Sequence, residues 1–476
     1  MEMRITEAMA RAEGLDPADS KIVGDLVAEW AEHYQKNRLR DAYYYGHVGV
    51  KDLGISVSPQ LAKRLNPHVM WAAKCVDWWA DRVQFDGVTV DDEDAQSLLE
   101  SVLADNDTRN LVHKTSSVAL RHSCAFMSVE QAADTGRTVI GAYPATASSA
   151  LYSDALKRIY AGMVVVESYR PRGSRTRYPR IVHVFTDDYL IELTREDGGP
   201  WRAEYIEHSM GRVPMEQIAY HGTLENPFGR SRINRAVRDM VDDAQREMMN
   251  MAAAASFSAA PQKYLLNTDP ATAKKIAESP FGAYIGSILT VTQGKNGQAP
   301  QFGQLAQMSM QPHIEYMRLL ASQFSNTTGV PLSSLGVVSD NPSSAEAIYA
   351  SKEDAVVDIQ SFIESCKKAL SNVFLMALAS EDGMSFDEER ARGLTLDVHF
   401  RKPDRPSTVS QSQAIMSQVQ AIPWLADSDV ALRELGYDDE QVHQLRSDRR
   451  KSQALSGAQA VLDRNQVNSA DNAERA

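Results

Sequence analysis

No stretch of this sequence stays apolar long enough to cross a bilayer. The longest run, VFLMALA at residues 373–379, falls well short of the roughly 20 residues that a spanning helix needs. The opening residues, MEMRITEAMARAEG, lack the apolar core of a secretory signal. Cysteine is scarce as well. Cys75, Cys124 and Cys366 are far apart and odd in number, which excludes a disulfide framework and points to synthesis in a reducing cytosol. Basic residues are outnumbered, with 50 Lys plus Arg against 63 Asp plus Glu for a net charge of −13. The chain therefore lacks the overall basic footprint of a protein that grips nucleic acid. Either DNA is irrelevant to it, or it handles DNA without holding it tightly.

Catalytic signatures are missing too. Gly294–Lys295 is followed by Asn296, so no phosphate-binding loop forms there, and an Asn-Gly hairpin turn explains the residues better. No GxSxG elbow and no dinucleotide GxGxxG occurs. His122 and Cys124 stand two apart with no CxxC or HExxH elsewhere, the spacing of two positions on one strand face. The acidic run DDEDAQ at 91–96 could feed a two-metal nuclease, but acids also gather at a helix N-terminus because of its dipole. His208 and His221 have no evident third partner. The expectation is a protein with no catalytic residues, no metal and no cofactor.

What is present is ordinary globular material: 43% hydrophobic and 24% charged residues, enough for a sizeable core. Helical spacing of Ile22, Val23, Leu26, Val27, Trp30 and Tyr34 predicts a helix over 20–45. Others follow at 67–84, 94–104 and 108–117. Between about 122 and 220 the period shifts to β-branched, alternating segments, read as one antiparallel meander, so residues 1–225 look like a single α+β domain. A long helix is expected from Gly229 to Ala260, then a compact α/β insert over 261–307 with strands at 263–266 and 287–292 and a short helix at 270–278. A helix at 309–328 comes next. Residues 335–342 carry glycine, asparagine and proline without apolar period, and Ser343 with Glu346 has capping-box spacing. The helix that follows, to about 380, would run roughly 57 Å at 1.5 Å per residue. A late strand lies at 394–400, residues 408–446 look helical with breaks at Pro423 and Gly436, and the polar end from 447 reads as a fraying tail.

Four arginines, Arg230, Arg232, Arg235 and Arg238, would oppose the dipole of the helix they open. Arg235 with Asp239 and Arg238 with Asp242 stand at i,i+4 and could pair on a solvated face. Contact with DNA or a neighbouring subunit is the alternative. Arg446, Arg449, Arg450 and Lys451 form a second cluster of the same ambiguity.

The order of several short motifs is more specific. An H-x-x-G-x-V-P turn (His208, Gly211, Val213, Pro214) is followed by G-x-S (Gly229, Ser231) and P-Q-K-Y (Pro261 to Tyr264). A G-V-P…S-S-x-E junction then uses Gly329, Val330, Pro331, Ser343, Ser344 and Glu346. With the N-terminal YYYG and the WWADRVQFDGV segment, this order over roughly 25–430 resembles the portal proteins, or head-tail connectors, of tailed bacteriophages.

The resemblance implies a helix-rich α+β subunit of a ring, usually twelve-membered, at one capsid vertex, with double-stranded DNA passing non-specifically through a channel. It implies a wing (1–228, with a strand return in 382–407), stem helices (229–260 and 308–328), a clip (261–307), a tunnel loop (329–342), a long helix (343–381), a crown (408–446) and a tail (447–476). Loop residues Gly336, Val337, Val338, Ser339, Asp340 and Asn341 would face DNA, and Arg230, Arg232, Arg235 and Arg238 are stem or channel candidates. Lys274, Lys275, Lys295 and Asn296 are clip docking candidates. Partners would be the terminase packaging motor, the major capsid or scaffolding protein and a head-completion adaptor, with no membrane. A shell or tail component, or less well a DNA-processing enzyme, is the rival reading.

Overall fold

Val23, Leu26, Val27, Trp30 and Tyr34 fall on one face of α1 (Pro17–Tyr44) and are buried there, with Pro17 at the first turn where its missing N–H costs nothing. The computed structural model describes residues 2–51, 65–132, 135–196, 199–259, 263–266, 274, 301–304, 309–337, 353–403, 408–437, 441–442 and 444–452. They divide into two compact units, 1–403 and 404–476.

In the first unit a short β1 (Glu2–Met3) precedes α1, and α2 (Trp71–Ala80) follows it. The expected helix at 67–84 is thus shorter, and Pro67 lies outside it. Its tail gives way to β2 (Phe85–Val90), which pairs antiparallel with β13 (Leu396–Phe400), the late strand of the sequence reading. Next comes α3 (Glu93–Asp105), where the Asp92 side chain accepts from the Ala95 N–H at 2.9 Å. The acidic run therefore caps a helix. The helix α4 (Thr108–His122) runs five residues beyond expectation and ends at Ser123, whose φ is +99°.

The meander is two sheets. One orders β10 (Met215–Ala219), β3 (Cys124–Gln131) and β4 (Thr138–Pro144). The other runs β5 (Ser148–Ser153), β6 (Arg158–Tyr169), β7 (Thr176–Phe185), β8 (Tyr189–Arg195) and β9 (Trp201–Glu207), with β1 parallel on β7. The two sheets share one buried cluster, in which Phe126 and Met215 meet Ala150, Val164 and Phe185, and each also buries an apolar set of its own. Ala161, Met163, Val182, Val184 and Ile191 face α1, whereas Met127, Val129 and Ile218 join a larger core with α2, α4 and the long helix. Local period cannot show where a chain changes sheets.

His183 on β7 ties the sheets together. Its Nδ1 lies 2.6 Å from Glu130 of β3 and its Nε2 3.2 Å from Glu192 of β8. Burial disfavours the imidazolium, but the bond and charge of Glu130, then those of Glu192, outweigh it and raise the pKa. A raised folded value contributes stability below the unfolded value of about 6.5 and loses it as pH climbs through the folded one. Unfolding midpoints measured across that window are expected to fall with rising pH, and His183→Gln to remove that part of the slope. An unchanged slope in the variant would refute the clamp.

The long helices follow as α5 (Arg235–Ala259), α6 (Gln311–Thr328) and α7 (Glu353–Asp382). Between α5 and α6, β11 (Lys263–Leu266) pairs antiparallel with β12 (Gln301–Gln304). The strand at 287–292, the Asn296–Gly297 turn and most of the 270–278 helix lie outside the described residues, as do Ser343 to Lys352. After α7 comes α8 (Phe386–Ala391), held by a full capping box between Ser385 and Glu388. Residues 1–225 do not close a core alone. The buried stripe Ile359, Phe362, Cys366, Leu370, Val373 and Phe374 of α7 joins α2, α3 and β3 in one cluster.

The second unit holds α9 (Thr408–Ala421), a 3-10 turn at Pro423–Asp427, and α10 (Asp429–Glu434) ending at Gly436 (φ +94°). The breaks at Pro423 and Gly436 stand where expected. Among its basic residues Arg446 pairs with Asp429 at 2.5 Å and Arg449 with Asp427 at 2.6 Å.

Candidate functional site

The loop expected to matter leaves α6 at Gly329, and the geometry around that exit is built from distant residues. Gly329 has φ +70° and ends the helix, and a Cβ on it would stand 3.0 Å from the Ala355 Cβ of α7. Val330 is fully buried. A 3-10 turn at Leu332–Leu335 follows, then Gly336 at φ +83°. Gly336 is exposed, whereas Val337, the next of the residues expected to face DNA, is half-buried and packs on the main core of its own subunit. Val338, Ser339, Asp340 and Asn341 lie outside the described residues.

Beneath the exit sits Arg232. Expected on a solvated face or at a bore, it is instead buried. Its guanidinium lies 3.5 Å over the Trp79 ring, and it donates through Nε to the Cys75 carbonyl (2.8 Å) and through Nη1 to the Tyr220 hydroxyl (2.8 Å). Nη2 donates to the Thr328 carbonyl, which also accepts from Trp79 Nε1 at 3.3 Å. A carbonyl at a helix C-terminus has no helical partner and carries partial negative charge, so a cation there satisfies both needs. One side chain thus joins α2, the end of β10 and the end of α6. Burial pushes the Tyr220 phenol up.

The reason Arg232 turns inward is local. The helix begins only at Arg235, with Asn234 Oδ1 accepting from the Val237 N–H at 3.0 Å. Arg230 and Arg232 therefore precede it and do not oppose its dipole. Gly229, at φ +70°, lies so close to Tyr220 that a Cβ would collide with that residue's carbonyl. Ser231 Oγ donates to the Arg121 carbonyl and accepts from the Ile233 N–H at 2.9 Å. The G-x-S pair is a fold joint.

Arg230 and Arg235 are exposed, and Arg235 faces Asp239 at 3.6 Å as expected. Arg238 does not pair with Asp242. That carboxylate instead accepts from the buried Tyr43 hydroxyl (2.9 and 2.8 Å) and from the exposed Lys51 (2.5 Å). Helices α5 and α6 pack through Val237, Val241, Ala244, Leu320, Ala321 and Phe324, and Glu247 meets His313 at 2.5 Å. Lys274 is exposed and helical. Lys275, Lys295 and Asn296 fall outside the described residues.

The remaining sequence candidates have structural duties. His122 ends a helix rather than sharing a strand face with Cys124, because Ser123 turns the chain between them. Its Nε2 lies 2.8 Å from Asp41, and burial holds its pKa down. His208 Nε2 meets the Thr186 carbonyl at 3.2 Å. All three cysteines are buried, and burial pushes the Cys124 and Cys366 thiols up to about 12, far from nucleophilic. In the H-x-x-G-x-V-P turn the Val213 N–H donates to Asp187 (3.0 Å), itself held by Arg158 at 2.7 and 3.0 Å. That turn carries the chain from one sheet to the other. The neighbours of Arg232, 12 to 157 positions away, left no sequence signal.

No family model matches the chain. Two curated proteins do. The portal protein of Mycobacterium phage D29 is 23% identical over 453 residues, 88% of this chain and 86% of that protein. The portal protein of Mycobacterium phage L5 is 23% identical over 420 residues, 84% and 81% of the two. Among solved structures, a chain from the virion of a native gene transfer agent particle matches with TM-score 0.46 and 11% identity over 77% of this chain and 89% of its own. One from the neck of that particle, computed with C12 symmetry, gives 0.45 and 12% over 76% and 89%. Among the described residues no helix is long and apolar enough to cross a membrane. Along most of its length the chain is thus a homologue of bacteriophage portal proteins, and its role is that of a portal protein, a structural part of the virion.

Proposed function

We propose that this protein assembles into a closed ring, dodecameric in the simplest case, at one capsid vertex, and that double-stranded DNA enters and leaves through its bore. The carrying observation is the alignment with two portal proteins across more than four-fifths of each chain. In this reading residues 1–228 with 382–407 are the wing, α5 and α6 belong to the stem (229–260 and 308–328), 261–307 is the clip, 329–342 the tunnel loop, 343–381 the long helix and 408–446 the crown. The net charge of −13 suits the task, since phosphates that meet few cations release few counterions and slide. Arg230 and Arg235 stay candidates for the bore or a neighbouring subunit, whereas Arg232 serves its own subunit. Lys274, Lys275, Lys295 and Asn296 are offered as the surface that meets first the terminase motor and then the head-completion adaptor. Capsid or scaffolding protein would meet the wing, and synthesis would take place in the host cytoplasm.

Electron microscopy of the purified protein, with native mass on the same sample, tests the ring. Closed rings with a central bore support the reading, and sheets or tubes overturn it in favour of a shell or tail component. Deleting residues 336–341 is expected to leave rings intact while DNA packaging or retention falls at least about tenfold, the scale of one lost contact set. Full packaging by the deletion would remove the loop from the channel.

A further inference from the structure

A cleft of about 710 Å³ opens between the β5–β6 hairpin, the turn ahead of β10, and helices α7 and α8. Such a volume falls in the roughly 300–1,000 Å³ range of binding pockets. Its walls carry Lys157, Arg158, Arg212, Lys368 and Arg390 against two carboxylates, Glu216 and Asp387. That balance is the reverse of the whole chain's.

The cations are not equally engaged. Arg158 is spent on Asp187 at 2.7 Å, with Asp387 also acting on it, and Arg212 on Glu216 at 2.5 Å. Lys157 lies 4.0 Å from Asp154. Lys368 and Arg390 are exposed and make no ion pair among the described residues, although Lys368 feels the charge of Glu216. Glu216 is also held by Asn372 at 3.0 Å. Between the charges, Leu156, Tyr152 and Leu375 form an accessible apolar wall, with Leu156 56% exposed.

We propose that this cleft binds an acidic segment of a partner polypeptide, its carboxylates at Lys368 and Arg390 and its apolar side chains against Leu156, Tyr152 and Leu375. Two cations left unmatched in a concave, partly apolar setting focus positive potential where the rest of the molecule repels anions. A DNA duplex would meet the same cations, but it is too wide and too uniformly polar to use the apolar wall. A small inorganic anion would use neither the wall nor the length of the cleft. The surface is complete in one subunit and needs no ring.

Fluorescence polarisation with a labelled octapeptide of alternating glutamate and leucine tests this, on the full chain, with a glutamate-only peptide and a short duplex as competitors. Saturable binding is expected, weakened at least about tenfold in Lys368→Glu/Arg390→Glu, as reversal of two contacts worth about 1.4 kcal/mol together requires. Reversal of the remote, exposed Arg137 should leave affinity unchanged. Since all three positions are exposed, folding is not at stake, and circular dichroism checks it. Absence of binding, equal affinity in the double variant, or displacement by the duplex or by the glutamate-only peptide as readily as by unlabelled glutamate–leucine peptide would each overturn the proposal.

Discussion

Arg232→Ala is expected to destabilise the protein by about 3–5 kcal/mol, the largest effect of any single change considered. The loss has three parts. The Tyr220 hydroxyl and the Cys75 carbonyl lose their guanidinium donor, the Thr328 carbonyl at the helix end is left with Trp79 Nε1 alone, and a void opens beside Trp79 where the guanidinium lay 3.5 Å from the ring. Arg232→Lys should recover only part of this, because an ammonium cannot reach three acceptors on separate elements and stacks poorly. Urea unfolding of the two variants against the parent provides the measurement. Costs of both variants within about 1 kcal/mol, the range of an ordinary surface change, would show that the joint is incidental.

Gly229→Ala comes next, at about 2–4 kcal/mol. The residue has φ +70°, where any Cβ is strained, and the Cβ would also collide with the Tyr220 carbonyl. That carbonyl cannot easily give way, since it accepts from the Arg230 N–H at 2.8 Å while the Tyr220 N–H donates to Ser123 at 2.9 Å. Gly336→Ala is the control. It shares the left-handed backbone, at φ +83°, but nothing lies within 4 Å of its Cβ position. Only the conformational penalty of about 1 kcal/mol applies there. Comparable losses at the two positions would mean that the close approach at Gly229 does not matter.

These two residues show how the sequence could be right about a motif and wrong about its use. G-x-S contributed to the family resemblance, and the homologues bear that resemblance out. Its neighbour Arg232 has the sequence setting of a surface or channel residue, because four arginines in nine positions look like a charged face. Residue type and spacing do not separate Arg232 from Arg235, yet one precedes the helix and is buried while the other is a solvated i,i+4 partner. The Arg238–Asp242 pair failed similarly, as Tyr43 and Lys51 reach Asp242 from almost two hundred residues upstream.

Helices α1, α3, α6 and the late strand were legible from apolar spacing alone, since burial of one face is written into a single segment. The helix α7 was legible in its apolar stripe, while the start proposed for it at Ser343 lies outside the described residues. Tertiary structure alone decided that the β-region is two sheets, that β2 pairs with a strand some three hundred residues later, and that a cationic cleft forms in an acidic chain. Each of these depends on contacts between segments distant in the chain. Periodicity reports which face of a segment is buried, and only the folded chain determines what buries it.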